Sequence, residues 1–288
     1  MGADIRFPHL GIEISDLGRS ISIGDFSIKY YGMIIAFGMM CGYLVASYQA
    51  KRTGQNSELY LDLTLWDIVF AVIGARIYYV IFSWEDYKDN IIQIFNIRGG
   101  GLAIYGGVIA GVITTFVFAK VKKQSFWKLV DTACAGLLIG QVIGRWGNFF
   151  NREAFGDYTD NFLAMQIRES DVYTGYITDN IANNIAVVDG IRYIQVHPTF
   201  LYESLWNLCL LIIILLYTKH KKFDGELFAI YVFGYGLGRV WIEGLRTDQL
   251  IFFNTGLAVS QVLSGILVIL SGAVLIYNKI QNTKTEKK

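Results

Sequence analysis

The stretch Gly144-Arg-Trp-Gly-Asn-Phe-Phe-Asn-Arg-Glu-Ala-Phe-Gly156 follows directly on the apolar run Leu137–Ile143. It sets two arginines, two asparagines and one glutamate against a segment that is apolar enough to lie in a membrane. A charged side chain near the centre of a bilayer costs about 2.5 kcal/mol or more. An arginine at such a place therefore needs an anionic partner, which is either a carboxylate of the protein or the phosphate of a lipid.

The composition of the chain is that of an integral membrane protein. Of its 288 residues, 53% are hydrophobic and 17% are charged, and the mean hydropathy is +0.41. Soluble domains carry about 25% charged residues. Because there are two prolines and no long polar linker, we expect a single integral membrane domain over residues 1–288. The net charge of +1 gives no reason to expect a nucleic acid as partner, and the three cysteines lack metal-binding spacing.

Seven segments are long and apolar enough to cross the ~30 Å hydrocarbon core of a bilayer as helices. They lie at roughly 30–50, 60–82, 101–119, 126–144, 199–217, 225–244 and 254–277. The connections 51–59, 120–128, 218–224 and 278–288 hold thirteen Lys and Arg in 36 residues, and the other connections hold ten in 110. By the positive-inside rule the first set is cytoplasmic. The amino terminus is then predicted outside and the carboxyl terminus inside.

The one long connection, 151–196, is extracytoplasmic in this topology. It carries three Arg and seven Asp or Glu, a net charge of −4. Within it, Ile185–Val196 is typical of two strands around an Asp-Gly turn, and Ser20–Ile28 predicts another small hairpin before the first span. The predicted fold class is therefore an all-α polytopic membrane protein of seven transmembrane helices with a small extracytoplasmic α/β cap, formed approximately by residues 1–29 and 151–196.

Ionisable residues inside the predicted spans are the main candidates for function. Tyr235, Arg239 and Glu243 are four residues apart and share one helical face. This pattern is either a functional polar stripe or an intrahelical Arg–Glu pair that only neutralises itself, and charges inside membranes favour the first interpretation. Glu203 lies near the outer end of the fifth span, after His197, which alone favours a capping or interfacial role. We expect plain polar ties between helices from Asp62, Asp67, Arg76 and Asp131.

Small residues recur at every fourth position in two spans. They are Ala103, Gly107 and Gly111 in the third span and Gly136, Gly140 and Gly144 in the fourth. This spacing favours close helix packing. A backbone nest for an anion at Gly99–Gly101 is the weaker interpretation of the three glycines that precede the third span. The sequence has no P-loop, serine-hydrolase elbow or zincin motif, which leaves those reactions unsupported.

The residues alone predict an outward-facing, membrane-embedded site. It is lined by tyrosines together with Arg145, Asn148, Arg239, Glu243 and Glu203. The planar guanidinium group matches phosphate oxygens in pairs, so a phospholipid or another anion is the expected ligand. Two classes remain open, an enzyme that acts on a lipid head group and a transporter of an anionic solute or lipid. A transporter is typically built from repeats, and no internal repeat is evident in these seven spans.

Residues 144–156 resemble the most characteristic segment of the prolipoprotein diacylglyceryl transferase family. Every fixed position of Gly-Arg-x-Gly-Asn-Phe-x-Asn-x-Glu-x-x-Gly is present. Other matching segments are His197-Pro198 with Leu201–Glu203, Tyr235–Arg239 with Glu243 and Arg246, and Tyr31-Gly32, so that the resemblance covers essentially the whole chain. One departure is Tyr105-Gly106-Gly107, where many members of the family carry His-Gly-Gly and where that histidine is a favoured candidate for the catalytic base.

The resemblance implies a concrete reaction in a bacterial cytoplasmic membrane. The sn-1,2-diacylglyceryl group of phosphatidylglycerol passes to the lipobox cysteine of a preprolipoprotein, which forms a thioether and releases glycerol phosphate. The implied partners are phosphatidylglycerol, preprolipoprotein signal peptides and membrane lipids, with no metal or cofactor. The implied catalytic residues are Arg145, Arg239, Tyr105, Glu243 and Glu203. The implied substrate-binding residues are Arg145, Asn148, Asn151, Glu153, Gly156, Tyr31, Tyr235, His197 and Arg246.

Overall fold

The structure is a computed structural model that describes residues 2–24, 26–253 and 255–286. The protein is mostly helical and has a small antiparallel sheet. The helices are α1 Tyr30–Arg52, α2 Glu58–Phe82, α3 Ile104–Val121, α4 Phe126–Asn151, α5 Asp179–Ala182, α6 Thr199–Tyr217, α7 Glu226–Glu243 and α8 Val259–Glu286. The strands are β1 Ile5–Phe7, β2 Ile12–Ile14, β3 Ser20–Ile23, β4 Phe26–Lys29, β5 Met165–Arg168, β6 Ala186–Val188 and β7 Ile191–Val196.

Six helices of the described chain are long and apolar enough to cross a membrane. They are α1, α2, α3, α4, α8 and α6 with the turn that follows it. Helix α7 forms where the sixth span was predicted, but its 18 residues include Glu226, Arg239 and Glu243. The prediction of seven spans is thus confirmed for six segments. The remaining segment is a helix with more charge than a simple apolar span.

Helix α4 continues well beyond its predicted end at residue 144, through Asn151. The apolar run ends at Gly144, and for that reason the sequence predicted the end of the span there. The helix continues because no proline interrupts it and because a carboxylate pairs with Arg145. It ends where Arg152 and Ala154 take φ values of +57° and +55°, a conformation that residues with a Cβ rarely adopt.

Contacts within the chain divide it into two compact units. The first comprises Met1–Gly42 and Ala135–Lys288, and the second comprises Tyr43–Cys134. The boundaries between these units fall inside α1 and α4. A single integral membrane domain over residues 1–288 stays a prediction.

The sheet of the first unit has five antiparallel strands in the order β2-β1-β5-β7-β6, and β3 and β4 form a separate pair. Both predicted hairpins are confirmed. Asp189 and Gly190 connect β6 to β7 with φ values of +51° and +77°, as the favoured two-residue turn requires. Strand β1 pairs with β5 through Ile5 and Ile167. Local patterns did not predict this pairing because the two segments are far apart in the sequence.

The hydrophobic core of the first unit joins this sheet to two long helices. Its buried members are Ile5, Phe7, Phe149, Phe155, Met165, Ile167, Val172, Ile181, Ile194, Val196 and Phe200. Phe149 comes from the end of α4 and Phe200 from the start of α6, and their ring centroids are 5.0 Å apart. The sheet therefore fixes the two helix ends from which charged residues project.

Glycines of α1 and α4 confirm close packing in the first unit. A Cβ on Gly42 would lie 2.9 Å from the carbonyl oxygen of Gly136, and one on Gly38 would lie 3.3 Å from that of Gly140. Both distances are shorter than ordinary contacts of a Cβ. The spacing of small residues in the fourth span therefore reports helix packing, as expected.

In the second unit, the stripe predicted for the third span is only partly correct. The tightest approach to α2 is at Gly106, whose carbonyl oxygen would lie 2.7 Å from a Cβ on Gly74. A Cβ on Gly107 would lie 3.4 Å from the Ala71 carbonyl oxygen, whereas one on Gly111 would meet no atom of the described chain within 4 Å. The contact uses neighbouring glycines because α3 turns a different face toward α2 than the four-residue spacing suggested.

Two of the predicted polar ties are confirmed and one is wrong. Lys122 Nζ lies 2.8 Å from Asp62 Oδ2, and Thr115 Oγ1 lies 3.3 Å from Asp67 Oδ2, so both carboxylates of α2 are tied to α3 or its end. Asp131 is buried, as a tie would require. Arg76, by contrast, donates to backbone carbonyls of the loop between α2 and α3, and within the described part of the chain it has no hydrogen bond to a side chain of another helix.

Candidate functional site

Six charged side chains of the first unit form a continuous series of ion pairs, which we call the ion-pair chain. Glu203 lies at its centre, with Oε2 at 2.6 Å from Arg145 Nε and Oε1 at 2.6 Å from Arg239 Nη1. Arg239 also reaches Glu243, with Nη2 at 2.6 Å from Oε2. The series ends with Arg246, 3.6 Å from Glu243, and Asp248, which binds the Arg246 guanidinium through both carboxylate oxygens.

Four parts of the chain contribute to this series. Arg145 comes from α4, Glu203 from α6, and Arg239 and Glu243 from α7, while Arg246 and Asp248 follow α7. The side chain of Glu203 is only 5% exposed, and that of Arg145 is 19% exposed. Buried charges are tolerated when they are paired, and removing one partner of such a pair costs about 3–5 kcal/mol. The charges of three arginines and three carboxylates balance, which explains why the series is tolerated among apolar helices.

The intrahelical pair that the spacing suggested is present, but it does not stand alone. Arg239 and Glu243 do pair four residues apart on α7. Glu203 nevertheless connects Arg239 to a second arginine on another helix, so that the stripe is part of an interhelical cluster. Sequence reasoning placed Glu203 in the site but missed Asp248.

The charges alternate along the series, and its two ends differ. Arg145 shares Glu203 with Arg239 and pairs with no second carboxylate among the described residues. Its Nη1 and Nη2 atoms also have no recorded partner among those residues. At the other end, Asp248 is a terminal carboxylate. The Arg145 end is therefore positive and carries unused donors, which is the arrangement that binds an anion.

Arg246 is held firmly at the far end of this series. Burial alone would lower the pKa of its guanidinium, but the hydrogen bonds to Asp248 and the negative charges of Asp248, Glu243 and Glu203 outweigh burial and raise the pKa. Arg246 therefore carries its positive charge near neutral pH. Its position is fixed by Gly156, with which it forms an antiparallel bridge.

Gly156 connects the motif after α4 to the two other predicted segments. Its backbone N–H donates to the His197 carbonyl at 2.9 Å, and the N–H of Asp157 donates to the Leu245 carbonyl at 2.9 Å. A Cβ on Gly156 would lie 2.8 Å from both His197 Cβ and the Leu245 oxygen. Glycine is required here by close approach of two backbones, and Gly156 brings the segments around His197 and Arg246 together.

Asn148, Asn151 and Glu153 form a second polar cluster at the end of α4. The side-chain amides of Asn148 and Asn151 donate to Glu153 Oε1 at 3.0 Å and 3.1 Å. The left-handed residues Arg152 and Ala154 turn the chain back so that Glu153 faces the helix that it has just left. The carboxylate thereby orients both amides. The binding roles of Asn148, Asn151 and Glu153 stay predictions.

Arg152, the other arginine of this motif, has a structural role. It donates to the carbonyls of Phe150 and Leu17, and its Nε lies 3.3 Å from Asp171 Oδ2. These contacts tie the end of α4 to the amino-terminal segment and to the connection that carries the sheet. Arg152 is therefore separate from the ion-pair chain.

Two tyrosines predicted as binding residues lie on the helices of the site. The Tyr31 ring covers Gly147 of α4, where a Cβ would lie 2.7 Å from Tyr31 Cδ2. Tyr235 stacks on Tyr231 with ring centroids 5.8 Å apart and lines a small cavity between α6 and α7 together with Glu203 and Arg239. Glycine at 147 is thus needed to admit the ring of Tyr31.

Asn207 belongs to the same cavity and was missed by sequence reasoning. Its side chain is 1% exposed, and its Nδ2 has no hydrogen-bond partner among the described residues. A signal was available, because Asn207 follows Glu203 by four residues and therefore shares its face of α6.

His197 contributes mainly its backbone to the site. Its ring Nδ1 lies 3.3 Å from the Tyr202 hydroxyl and 3.4 Å from Asn161 Nδ2. Burial lowers the pKa of His197, and the charge of Asp157 offsets only part of this effect. The neutral imidazole therefore predominates near pH 7. The capping or interfacial role and the substrate-binding role of His197 both stay predictions.

Tyr105 belongs to the second compact unit. It lies in the first turn of α3, is half-buried and directly precedes Gly106, where α3 crosses α2. Its catalytic role stays a prediction.

The chain is similar to known proteins over most of its length. A family model described as prolipoprotein diacylglyceryl transferase matches residues 19–277. A protein from Listeria monocytogenes serotype 4a, named phosphatidylglycerol–prolipoprotein diacylglyceryl transferase, is 43% identical over 262 residues, which cover 91% of this chain and 90% of that protein. A protein of the same name from Bacillus mycoides is 45% identical over 252 residues, which cover 87% of this chain and 88% of that protein.

Proposed function

Because the chain belongs to the prolipoprotein diacylglyceryl transferase family, we propose that it transfers the diacylglyceryl group of phosphatidylglycerol to the lipobox cysteine of preprolipoproteins. This is the first step of bacterial lipoprotein modification. Membership of a transferase family favours the enzyme over the transporter that the residues alone left open. No metal or cofactor takes part in the proposed reaction.

The observation that carries this proposal is the positive end of the ion-pair chain. Arg145 has two Nη groups with no recorded partner among the described residues, and it is 19% exposed. A phosphodiester oxygen pair fits such a group. Glu203 holds Arg145 and Arg239 on one carboxylate, so both guanidinium groups can act on the same phosphate.

The proposed transfer is a substitution at the glyceryl carbon. The cysteine thiol loses its proton, the sulfur attacks the glyceryl carbon, and the bond between that carbon and the phosphate oxygen breaks. A thioether forms and glycerol phosphate leaves with the electron pair of the broken bond. Negative charge therefore grows on the phosphate, and Arg145 and Arg239 stabilise it in the transition state. The thiol proton passes to a base of the site or to the departing phosphate.

The surrounding residues orient the substrates. Asn148, fixed by Glu153, and Tyr235, beside Arg239, are placed to bind head-group oxygens. Glu243 holds Arg239 in its rotamer. Tyr31, Asn151, Gly156, His197 and Arg246 complete the proposed binding residues.

This reaction requires the site to face the outer leaflet. We therefore propose seven spans, with α7 as the charged one, the amino terminus outside, the carboxyl terminus in the cytoplasm, and a cap made approximately of residues 1–29 and 151–196. The cap then contains all strands of the five-stranded sheet. The location is a bacterial cytoplasmic membrane.

The proposed topology predicts which residues are accessible from outside the cell. Single cysteines are introduced as Asp179→Cys, Lys122→Cys and Lys221→Cys in a chain without its three native cysteines, and intact cells or spheroplasts receive an impermeant thiol reagent. Because charge asymmetry places residue 179 outside, we expect labelling of Asp179→Cys alone, and labelling of all three after the membrane is opened. Labelling at residue 122 but not at 179 in intact cells would show that the orientation is the opposite of the one proposed.

A second prediction concerns Tyr105. A phenol has a reference pKa of ~10 and a thiol of ~8.5, so tyrosine is poorly matched as a base for cysteine near neutral pH. We expect Tyr105 to orient a substrate oxygen through its hydroxyl. Tyr105→Phe should then lower the rate roughly two- to tenfold, for one lost hydrogen bond of about 0.5–1.5 kcal/mol, and Tyr105→His should retain substantial activity.

The measurement is the rate of thioether formation by both Tyr105 variants from pH 6 to pH 9. A Tyr105→Phe variant at background level, beside an active Glu203 or His197 variant, would assign the acid–base step to the phenol and contradict this prediction.

The function itself is tested with purified wild-type protein and a lipobox peptide. Mass spectrometry should detect the added diacylglyceryl group when phosphatidylglycerol is supplied, and none when phosphatidylethanolamine replaces it or when the peptide cysteine is serine. Product formation in detergent, where transport has no meaning, supports the enzyme. If a folded, monodisperse protein yields no modified peptide, the proposed function is refuted.

A further inference from the structure

Arg76 in α2 makes an unusual set of contacts for a buried arginine. Its side chain donates to five backbone carbonyls of the loop that connects α2 to α3. Nε donates to Ile94 at 2.8 Å, Nη1 to Gly100 and Gly101 at 2.9 Å each, and Nη2 to Gln93 at 2.7 Å and Asn96 at 3.2 Å. Each of the five N–H groups of the guanidinium is thereby used.

No carboxylate balances this charge among the described residues. Arg76 is 6% exposed, and the only other partner that the structure records for it is the ring of Tyr87, whose centroid lies 5.0 Å from Cζ. Carbonyl dipoles and an aromatic face therefore hold the cation. A lysine could not replace it, because an ammonium has three donors and no planar fork.

The loop that Arg76 holds leads directly into the first turn of α3. Gly100 and Gly101 have φ values of +91° and +74°, and a Cβ on Gly101 would overlap Arg76 Nη1. Two residues later the N–H of Ala103 donates to the carbonyl of Ala75 at 3.0 Å, next to Arg76 in α2. Tyr105 follows in the first turn.

We propose that Arg76 is a positioning residue for transfer: by fixing residues 93–101 on α2 it sets the place of Tyr105. This inference rests on the proposed function of the chain and on the proposed role of Tyr105. Arg76 itself does not contact substrate. Its effect on the reaction is transmitted through the start of α3.

The test pairs Gly101→Ala with Gly54→Ala. Both glycines have similar positive φ, +74° and +71°, so that the backbone strain is matched. A Cβ on Gly54 meets no atom of the described chain within 4 Å, whereas one on Gly101 would overlap both the Arg76 guanidinium and the ring of Tyr79. Arg76→Lys therefore tests the guanidinium without the contact to Tyr79. Each substitution, and Arg76→Lys, is made with Tyr105 and with Tyr105→Phe.

With Tyr105 present, Gly101→Ala and Arg76→Lys should lower kcat by about the factor that Tyr105→Phe alone costs, roughly two- to tenfold. With Tyr105→Phe they should add almost no further loss, since contacts that act through one group are not additive. Gly54→Ala should leave kcat unchanged both with Tyr105 and with Tyr105→Phe. An equal loss with and without the tyrosine hydroxyl, or no loss in either, would overturn the proposal.

Hydrogen exchange of the wild type and the two glycine variants supplies a readout that does not depend on activity. Amides of residues 93–103 should exchange faster in Gly101→Ala and at wild-type rates in Gly54→Ala. Unchanged exchange in Gly101→Ala would overturn the role of Arg76. A wild-type chain that forms no thioether would refute the proposed function, and with it any role of Tyr105 in transfer, while the exchange rates still report on the Arg76 contacts.

Discussion

Replacing Glu203 with glutamine is expected to lower the rate of thioether formation by about a hundredfold or more. Among the described residues, Glu203 is the one carboxylate that pairs with both Arg145 and Arg239, each at 2.6 Å. Glutamine keeps the shape but removes the charge, which leaves an uncompensated positive charge among buried groups. Both arginines then lose the carboxylate that fixes them for the developing charge on the phosphate, and about 2.7 kcal/mol of lost transition-state stabilisation is a hundredfold in rate.

The matched control for this prediction is Glu226→Gln. Glu226 is also a buried glutamate of the first unit, but it accepts hydrogen bonds from Tyr217 and from the backbone N–H of Lys222 and lies outside the ion-pair chain. Both variants are purified, and their thermal unfolding and single-turnover transfer are compared. Glu226→Gln should lose stability but keep its kcat within a few-fold. Equal losses of kcat in both variants would show that Glu203 has only a structural role.

The second large effect is expected from Arg239→Lys. Arg239 uses one Nη for Glu203 and the other for Glu243, both at 2.6 Å. A lysine has a single ammonium and cannot keep both contacts and a phosphate. The loss of one charge-assisted contact of ~1.5–3 kcal/mol predicts a rate that is roughly tenfold to over a hundredfold lower, in a protein that still inserts and folds.

Arg152→Lys separates this effect from a general sensitivity of buried arginines. Arg152 is 6% exposed and ties the end of α4 to the amino-terminal segment, away from the ion-pair chain. Its replacement should lower the temperature of unfolding and leave the turnover of the folded fraction near that of the wild type. Near-normal turnover by both Arg239→Lys and Arg145→Lys would favour an ion pair that only neutralises itself.

Much of the helical layout was predictable from local sequence. Apolar runs of about 20 residues can form helices in a membrane regardless of their neighbours, because every backbone group is satisfied within the helix. The start of α6 was predicted at Thr199, where the structure has it, and follows a proline, which ends the preceding segment. The hairpin around Asp189 was predictable for a similar reason, since its turn depends on two adjacent residues.

Pairings between distant segments were not predictable in this way. Nothing in the spacing of Ile5 indicates that it pairs with Ile167, and nothing in the spacing of Arg76 indicates five carbonyl partners in a later loop. The end of α4 was placed too early for the same reason. The charge of Arg145 ends an apolar run in the sequence, but in the folded chain Glu203 compensates it.

The motif 144–156 was enough to select candidate site residues, among them Arg145, two asparagines and Glu153, and its resemblance to known sequences indicated the family. How these groups are connected depends on the way the helices pack. Ion pairs depend on distance in space, and the link from Arg145 through Glu203 to Arg239 joins three helices that the chain reaches at widely separated positions. Side-chain type is local information, whereas the partner that neutralises a buried charge is set by how the helices pack.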